Sequence, residues 1–583
     1  MGPSFDLTGC LSFINPLLSG LPWTGPLAHR SQMAAPDSGS TSREPPVEDA
    51  PALTAENPNP AASRPVKFWA IAPVVAMAAF MEVLDLSIAN VSLLHIAGSL
   101  SASKSQATWV LTSYTVTNAI ILPLSGWLAA TFGRKRYFMA SVGAFSIASL
   151  LSGLAPTLGS LIFFRAIQGL VGGGLQPNAQ AILSDAAPPE KRGMAFALYG
   201  MAVVFAPAIG PTLGGWITDH MSWRWVFLIN VPIGFLILPL IQSLVRDPPH
   251  FAETRSLRRK NGFRLDYIGF SLIALGLGSL QVVLDRGQQN DWFSSWLILS
   301  MTAVAVLTLI GFIVWEWTRN DPIVDLQLFR NPSFAAANLL MFMLGFVLLG
   351  TTVLLPLYVQ SLMGYTAVQA GLMLSPGGLV ILLLMPLVGQ LTGRLDARWL
   401  VGLGFMILAI AMFTMTGLDT QTNFRTLMWI RVLQGSGMAF LFIPINTVAF
   451  SSIPVEKSSN ASAIINMSRN IGGSFGISIA TTILIRQAQF HQSVLVRHIN
   501  SFNPNLQAFL AKSHSVFAHG IQTGGSTTGE AMGFLYRNLL QQSSMLAYID
   551  DFKIMGVISL AMVPLVFLLR QKKGAKPVHP IVE

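Results

Sequence analysis

Runs of about 20 mostly apolar residues follow one another along most of this chain, separated by short polar segments. A helix of that length crosses the hydrocarbon core of a bilayer, which is about 30 Å thick. Charged residues make up 11% of the 583 residues, against about 25% in an ordinary soluble domain. A single soluble core cannot bury this apolar excess. The chain is therefore predicted to be an all-α integral membrane protein.

The apolar runs predict fourteen transmembrane helices. They lie near 68–94, 106–126, 137–155, 158–183, 194–217, 223–244, 266–284, 294–316, 333–360, 367–389, 399–418, 426–450, 462–485 and 547–569. Residues 1–66 are rich in Pro, Ser, Ala and Glu and predict a disordered N-terminal extension. Residues 486–546 predict a long, partly helical outer loop, and 570–583 predict a short tail.

The basic residues of the connecting loops alternate from one side of the membrane to the other. With a cytoplasmic N-terminus, the inner loops hold 16 Lys and Arg residues and the short outer loops hold 4. Positive charge accumulates on the cytoplasmic side of membrane proteins. The extension and the tail are therefore both predicted to be cytoplasmic.

The two halves of the apolar region repeat. Arg165 to Gly169 recurs as Arg431 to Gly435, and two further segments recur at offsets between 262 and 266 residues. The repeat predicts two six-helix bundles, at 67–245 and 332–569, with a basic loop and an extra helix pair in 246–331 between them. Parallel repeats of this kind build transporters whose binding site lies between the halves.

A glycine-bounded basic turn joins the second and third predicted helices. Its residues are Gly126, Gly133, Arg134, Lys135 and Arg136. Glycine permits a tight turn, and the basic cluster favours the cytoplasmic side. The pattern predicts a tight basic turn between two helices.

The fifth predicted helix combines prolines with glycines. Pro207 and Pro211 each remove a backbone donor and bend the helix, while Gly210, Gly214 and Gly215 let a neighbouring helix approach closely. This composition predicts a kinked, tightly packed hinge.

These segments resemble the loop, helix-4 and helix-5 motifs of the major facilitator superfamily, and specifically its fourteen-helix drug:proton antiporter family of the EmrB type. The likeness runs from Lys67 to Leu569, although Ala130 stands where the loop motif usually has an acid. It implies that the basic turn is a gating element. It implies proton-coupled efflux of drugs or other small molecules from the bacterial cytoplasm across the inner membrane, by alternating access. The energy source is the proton gradient, without a cofactor. It also implies a periplasmic adaptor and an outer-membrane channel as partners, and the 486–546 segment is a candidate dock.

Two acids in the first helix are candidates for proton coupling. Glu82 and Asp85 are three residues apart and share one helix face. A carboxylate in an apolar environment can bind and release a proton near neutral pH. Asp85 is predicted to carry the proton, with Glu82 as a helper or a contact for cationic drugs. Arg165, costly inside a membrane unless it faces a cavity or a carboxylate, is the third coupling residue.

Further polar residues within the helices are candidates to line a substrate cavity, or to bond neighbouring helices together. They are Asn90, Gln168, Asn178, Asn446, Arg469 and Asn470.

Other functional classes have less support. The sequence has no phosphate-binding loop for an ATPase and no catalytic or metal-binding constellation, so we expect a secondary transporter, not an enzyme. The positive charge is explained by the cytoplasmic loops, so no nucleic-acid partner is expected. Two alternatives stay open: an exporter of one native lipid, siderophore or peptide, and a membrane sensor of the same fold that has lost transport.

Overall fold

A computed structural model describes residues 68–188, 191–247, 266–319, 322–451, 453–454, 457–497, 499, 503–504, 506–508 and 527–569. The chain divides into two units, and these residues fall in Arg64–Glu583. The other unit, Met1–Ser63, lies outside the described residues, as do the predicted tail and most of the basic loop after residue 247. The described part of the chain is helical and contains no strand.

Among the described residues, fourteen long helices match the fourteen predicted spans. They are α1 (Phe68–Val91), α2 (Trp109–Phe132), α3 (Arg134–Gly153), α4 (Leu158–Gly172, continuing as Leu175–Ala186), α5 (Arg192–His220), α6 (Asn230–Leu244), α7 (Tyr267–Arg286), α8 (Trp296–Trp317), α9 (Pro332–Ser361), α10 (Ala367–Thr392), α11 (Ala397–Met415), α12 (Phe424–Ser451), α13 (Ser458–Val496) and α14 (Thr527–Leu565).

Twelve spans among the described residues are long and apolar enough to cross a membrane; the two long helices outside this set are α3 and α13. The α3 helix begins with three basic residues and contains several buried serines. The α13 helix contains buried Asn466 and Arg469. Both helices therefore turn polar side chains into the bundle, which lowers their hydropathy without changing their place in the fold.

Helix packing repeats between the halves. In the first half α1 packs on α5, α2 on α4 and α3 on α4; in the second half α9 packs on α13, α10 on α12 and α11 on α12. The halves meet through α5 against α10 and α2 against α13, which are again repeat-related pairs. The inserted helices α7 and α8 pack on each other, and α7 also contacts α2 and α13. The predicted all-α fold of two six-helix bundles plus an extra pair is confirmed.

The last two helices are longer than a membrane span. Each has 39 residues, which corresponds to a length of about 58 Å, roughly twice the hydrocarbon thickness. They occupy both ends of the segment 486–546, predicted as a partly helical loop, at 486–496 and 527–546. His491 on α13 contacts Asp550 on α14 at 2.8 Å, which links the two helices.

Candidate functional site

A cavity of about 190 Å³ lies between the two halves. Residues of α1, α2, α4 and α5 line it from the first half, α9 and α13 line it from the second, and α7 closes it along the seam. Most of the lining is apolar. The charged residues that line it are Glu82, Asp285 and Arg469.

Asp85 lies outside the cavity lining, in a sealed polar cluster of the first half. Its side chain is fully buried, and Arg165 of α4 donates to Oδ2 at 2.5 Å. Gln168 and Asn230 donate to Oδ1 at 3.0 and 2.8 Å. Both amides also donate to the Ser149 hydroxyl, at 3.1 and 3.0 Å. Helices α1, α3, α4 and α6 thus converge on one carboxylate.

Arg165 is completely buried and faces the interior of the bundle, as expected for an arginine inside a membrane helix. Its guanidinium lies 4.3 Å from the Tyr114 ring centroid and 5.3 Å from that of Phe227. Tyr114 also lines the cavity. One aromatic ring therefore contacts both the Asp85–Arg165 pair and the cavity.

The second half holds a related cluster without the acid. Arg431, the repeat mate of Arg165, donates to Gln434, which donates in turn to Thr351 at 2.7 Å. Thr351 follows Asp85 by 266 residues, the same offset as the two arginines, and so takes its place. Among the described residues, Arg431 forms no ion pair within 4.0 Å. The buried carboxylate–guanidinium pair therefore belongs to the first half alone.

Glu82 faces the cavity one helical turn before Asp85. Asn118 of α2 donates to its Oε1 at 3.0 Å, while its Oε2 is buried without a hydrogen-bond partner in the described part of the chain. Arg469 interacts electrostatically with Glu82 and donates to Gln176 of α4. The two predicted coupling acids thus have different surroundings: one is sealed, and the other is open to the cavity.

The six predicted cavity residues separate in the structure. Arg469 and Asn470 line the cavity. Gln168 belongs to the Asp85 cluster, and Asn446 bonds to Gln180 across the seam between the halves. The other two, Asn178, which is buried, and Asn90, which is exposed at the end of α1, are outside the cavity lining.

The basic turn between α2 and α3 closes one end of the seam. Gly133 has φ = 90°, a conformation that favours glycine. Arg134 is buried and donates to Asp185 of α4, as well as to Ser459 at 2.9 Å and Ser458 at 2.8 Å in α13. It therefore joins the two halves directly.

The other residues of this turn have different surroundings. The Lys135 Nζ donates to the Gln242 carbonyl at 2.5 Å, within the first half. Gly126 lies so close to Asn460 of α13 that a methyl group there would collide with it, and Arg136 is exposed.

The proline–glycine segment of α5 packs against α1. Because Pro211 has no N–H, the Pro207 carbonyl lacks its helical donor, and the Ser87 hydroxyl of α1 donates to it at 3.5 Å. Gly210 approaches Ser87 so closely that a methyl group would collide with its side chain, and Gly214 packs on Ile88. Gly215 is buried as well. The predicted close packing is present, and its partner is the helix that carries both coupling acids.

Sequence reasoning missed three amides and one acid that line the cavity: Asn118, Gln176, Gln281 and Asp285. Asp285 directly follows the predicted end of the seventh span, whereas α7 continues to Arg286. An acid directly after an apolar run was the available signal.

The fold, the repeat and the central cavity define a multi-pass membrane transporter of the alternating-access type. Comparison with known proteins agrees, since residues 75–477 match the family model of the Major Facilitator Superfamily. The chain belongs to this superfamily.

Its relatives include exporters. It is 39% identical over 502 residues to the multidrug export protein EmrB of Escherichia coli K12, covering 86% of this chain and 95% of the relative. It is 36% identical over 509 residues to the fatty acid resistance protein FarB of Neisseria gonorrhoeae, covering 87% and 97%. The predicted resemblance to the EmrB type is thereby confirmed.

A solved structure shares the fold. A double-tryptophan mutant of the transporter XylE superimposes with a TM-score of 0.57 at 14% identity, over 87% of this chain and 97% of that one.

Proposed function

We propose that this chain exports small, largely apolar molecules across a bacterial inner membrane in exchange for protons, and that the central cavity opens to each side in turn. The mostly apolar lining suits substrates of varied shape. The names of its relatives, a multidrug export protein and a fatty acid resistance protein, support export as the direction.

The buried pair of Asp85 and Arg165 is the observation that carries the proton-coupling part. The Asp85 carboxylate accepts hydrogen bonds from one guanidinium and two amides, all buried inside the first half. When a proton neutralises Asp85, the attraction to Arg165 is lost. Arg165 is then free to interact with another acceptor.

The packing of α1 connects the Asp85–Arg165 pair to the seam between the two halves. Ser87 and Ile88, which contact Gly210 and Gly214 of α5, come directly after the Asp85 turn. Helix α5 in turn packs along α10 of the other half. A shift of α1 on protonation of Asp85 therefore changes the contacts at the seam between the halves. Glu82 lies on the same helix and lines the cavity, so the same shift moves Glu82 within the cavity.

The same proposal covers energy source and orientation. The protein acts as a secondary transporter, driven by the proton gradient without a cofactor and without catalysing a chemical reaction. Its termini lie in the cytoplasm, as the charge of the loops predicts. The Arg134 cluster then lies at the cytoplasmic end of the seam.

An adaptor partner fits the two long helices. Outside the predicted spans 462–485 and 547–569, both helices carry exposed apolar side chains: Phe490, Val496, Met532 and Tyr536. Exposed apolar residues on a projecting pair of helices are suited to a protein contact. We propose that this projection docks a periplasmic adaptor that leads to an outer-membrane channel.

Proteoliposome transport tests the exchange reaction. Vesicles with wild-type protein and an imposed proton gradient should accumulate an apolar fluorescent dye, and Asp85→Asn should abolish the gradient-driven part while the protein still folds. Asp219→Asn, a half-exposed acid of α5, is the matched control and should transport normally. Equal flux in wild type and Asp85→Asn would remove Asp85 from the mechanism. Absence of flux with any compound would favour the sensor alternative.

Adaptor docking has its own test. Replacing Phe490 and Tyr536 by Ser should abolish co-purification with a co-expressed periplasmic adaptor and leave proteoliposome transport intact. Replacing Phe163 and Leu383, exposed apolar residues within the spans, gives a control of the same chemistry. Co-purification that survives deletion of 490–540 would reject the docking role.

A further inference from the structure

The inserted helix α7 contributes directly to the cavity. It packs against α2 of the first half and α13 of the second, so it lies along the seam between them. Leu277, Gln281 and Asp285, four residues apart, form one face of α7 and line the cavity. A helix inserted merely to join the two bundles would need no polar residues on that face.

Asp285 is held in place by neutral donors. Thr115 of α2 donates to Oδ2 at 2.9 Å, and Gln281 donates to Oδ1 at 2.8 Å. The side-chain amide oxygen of Gln281, Oε1, accepts from the Ser474 hydroxyl of α13 at 3.0 Å. A chain of hydrogen bonds therefore runs from the first half through α7 to the second half, with the carboxylate at the cavity wall.

The three charged residues of the cavity are not equivalent. Arg469, which lines the cavity, interacts electrostatically with Glu82, whereas the cation that acts on Asp285 is Arg286, which lies outside the lining. No cation of the described residues forms an ion pair with Asp285 within 4.0 Å. The neighbouring Arg286 directs its guanidinium elsewhere: it donates to the Ser105 carbonyl at 3.2 Å and lies 4.3 Å from the Trp109 ring centroid.

We infer that Asp285 is a specificity-determining residue that binds the charged centre of amphipathic organic cations in the cavity. The lining holds one cation and two carboxylates, so acid is in excess there. Arg286 acts on Asp285 electrostatically from outside the lining, and none of the described lining residues pairs a cation with Asp285 within 4.0 Å. The apolar lining from α5, α7 and α9 accommodates the rest of the ligand. The role rests on the proposed export function, because it assigns the substrate class to the same cavity.

Ligand binding to the purified full-length protein tests this without a proton gradient. Two probes of similar shape differ in charge: tetraphenylphosphonium, a permanent cation, and triphenylphosphine oxide, which is neutral. Asp285→Asn should weaken binding of the cation by about tenfold or more, since one attractive charge at close range is lost. Binding of the neutral probe should change by less than about twofold. Asp285→Glu should restore part of the cation affinity.

Asp291→Asn is the matched control. It makes the same charge change six residues further on, at an exposed position with φ = 52°, a conformation that Asn tolerates. It should bind both probes as the wild type does. Gel-filtration profiles and melting temperatures of all variants establish that they are folded.

Three results would overturn the inference: unchanged cation affinity in Asp285→Asn, an equal loss of both probes, or a wild-type protein that does not bind the cation. These results are separate from the fate of the proposed function. A wild type that binds the cation but exports nothing under a proton gradient refutes the export proposal and leaves the cation site standing. Gradient-driven export of the neutral probe alone would support the export proposal and refute the cation site.

Discussion

At the scale of single residues, the two repeat-related arginines show how one substitution separates the proposed coupling site from its counterpart in the second half. Arg165 meets the Asp85 carboxylate, whereas Arg431 has the Thr351 hydroxyl and an amide in the corresponding places. A buried ion pair is not a strong source of stability, because both charges lose their hydration. Breaking the pair by removing one partner is costly, because the other charge is stranded.

We therefore predict that Arg165→Met destabilises the protein by about 3–5 kcal/mol. The double variant Asp85→Asn/Arg165→Met should recover much of this loss, because no carboxylate is left uncompensated. Melting curves in detergent measure the order of stability. Arg431→Met is the control: it removes an equally buried cation that forms no ion pair among the described residues, so its effect should be smaller. A larger loss in Arg431→Met than in Arg165→Met would contradict the argument.

At the scale of elements, close contact between α1 and α5 links the helix of the two proposed coupling acids to the proline–glycine segment. The contact needs both a carbonyl freed by Pro211 and the absence of a side chain at Gly210, because Ser87 occupies the space. Proline and glycine in this helix therefore act together: one supplies an acceptor, and the other lets its donor approach.

Gly210→Ala is predicted to push α1 and α5 apart and to destabilise the protein by about 1–3 kcal/mol, with slower transport. Gly402→Ala in α11 is the matched control, since no atom lies within 4 Å of the added methyl group. There alanine should be neutral or stabilising by about 0.5–1 kcal/mol, through its better helix propensity. Melting temperatures and dye flux, measured on the same preparations, distinguish the two positions. Similar behaviour of both variants would mean that helix α1 adjusts freely.

At the scale of the whole molecule, the Arg134 cluster holds the halves together at one end of the seam. It is one of several contacts there, since Gly193 packs on Gly389, and Ser462 of α13 donates to Gln180 of α4 at 2.9 Å. These contacts must separate if the cavity is to open at that end. Arg134, with partners in both halves, is the residue whose loss should favour opening.

The prediction is tested by labelling a cysteine at the seam. In a Cys10→Ser background, which removes the single native cysteine, Ser462→Cys is fully buried between the halves. Adding Arg134→Ala should raise its rate of reaction with a membrane-impermeant maleimide, when the reagent reaches the cytoplasmic side. Lys135→Ala removes a neighbouring charge whose contacts stay within the first half, so labelling should not change. Faster labelling from the outer side would reverse the proposed orientation.

Prediction from sequence succeeded where the signal is a local pattern. Apolar runs identified all fourteen helices, because each must be long enough to cross the bilayer whatever its neighbours are. The repeat of Arg165 and Gln168 identified the bundles, because related sequences pack alike. Helix ends were predicted less well: α13 and α14 continue past the apolar runs as polar helices, where no membrane constraint applies.

Site residues divide along the same line. Asp85, Arg165 and Gln168 were singled out because charge and amide groups inside apolar runs are rare, and the fold brings them together. Asn90 and Asn178 carried the same signal, but they lie outside the cavity lining. The sequence could not show this, because a lone amide does not reveal which way its helix face turns. Asp285 shows the converse: its helix ends two residues after the predicted span, and the acid in this extension lines the cavity.

The amino-acid order alone was enough to establish a duplicated, fourteen-helix membrane protein with acids in its first span, because hydropathy and repetition are properties of short stretches. Which acid is sealed and which faces the cavity was decided by packing, through the rotation of α1 against α2, α4 and α5. The same holds for the place of α7 at the seam. Contacts between helices far apart in the chain depend on the angles at which those helices cross, and no local pattern encodes them.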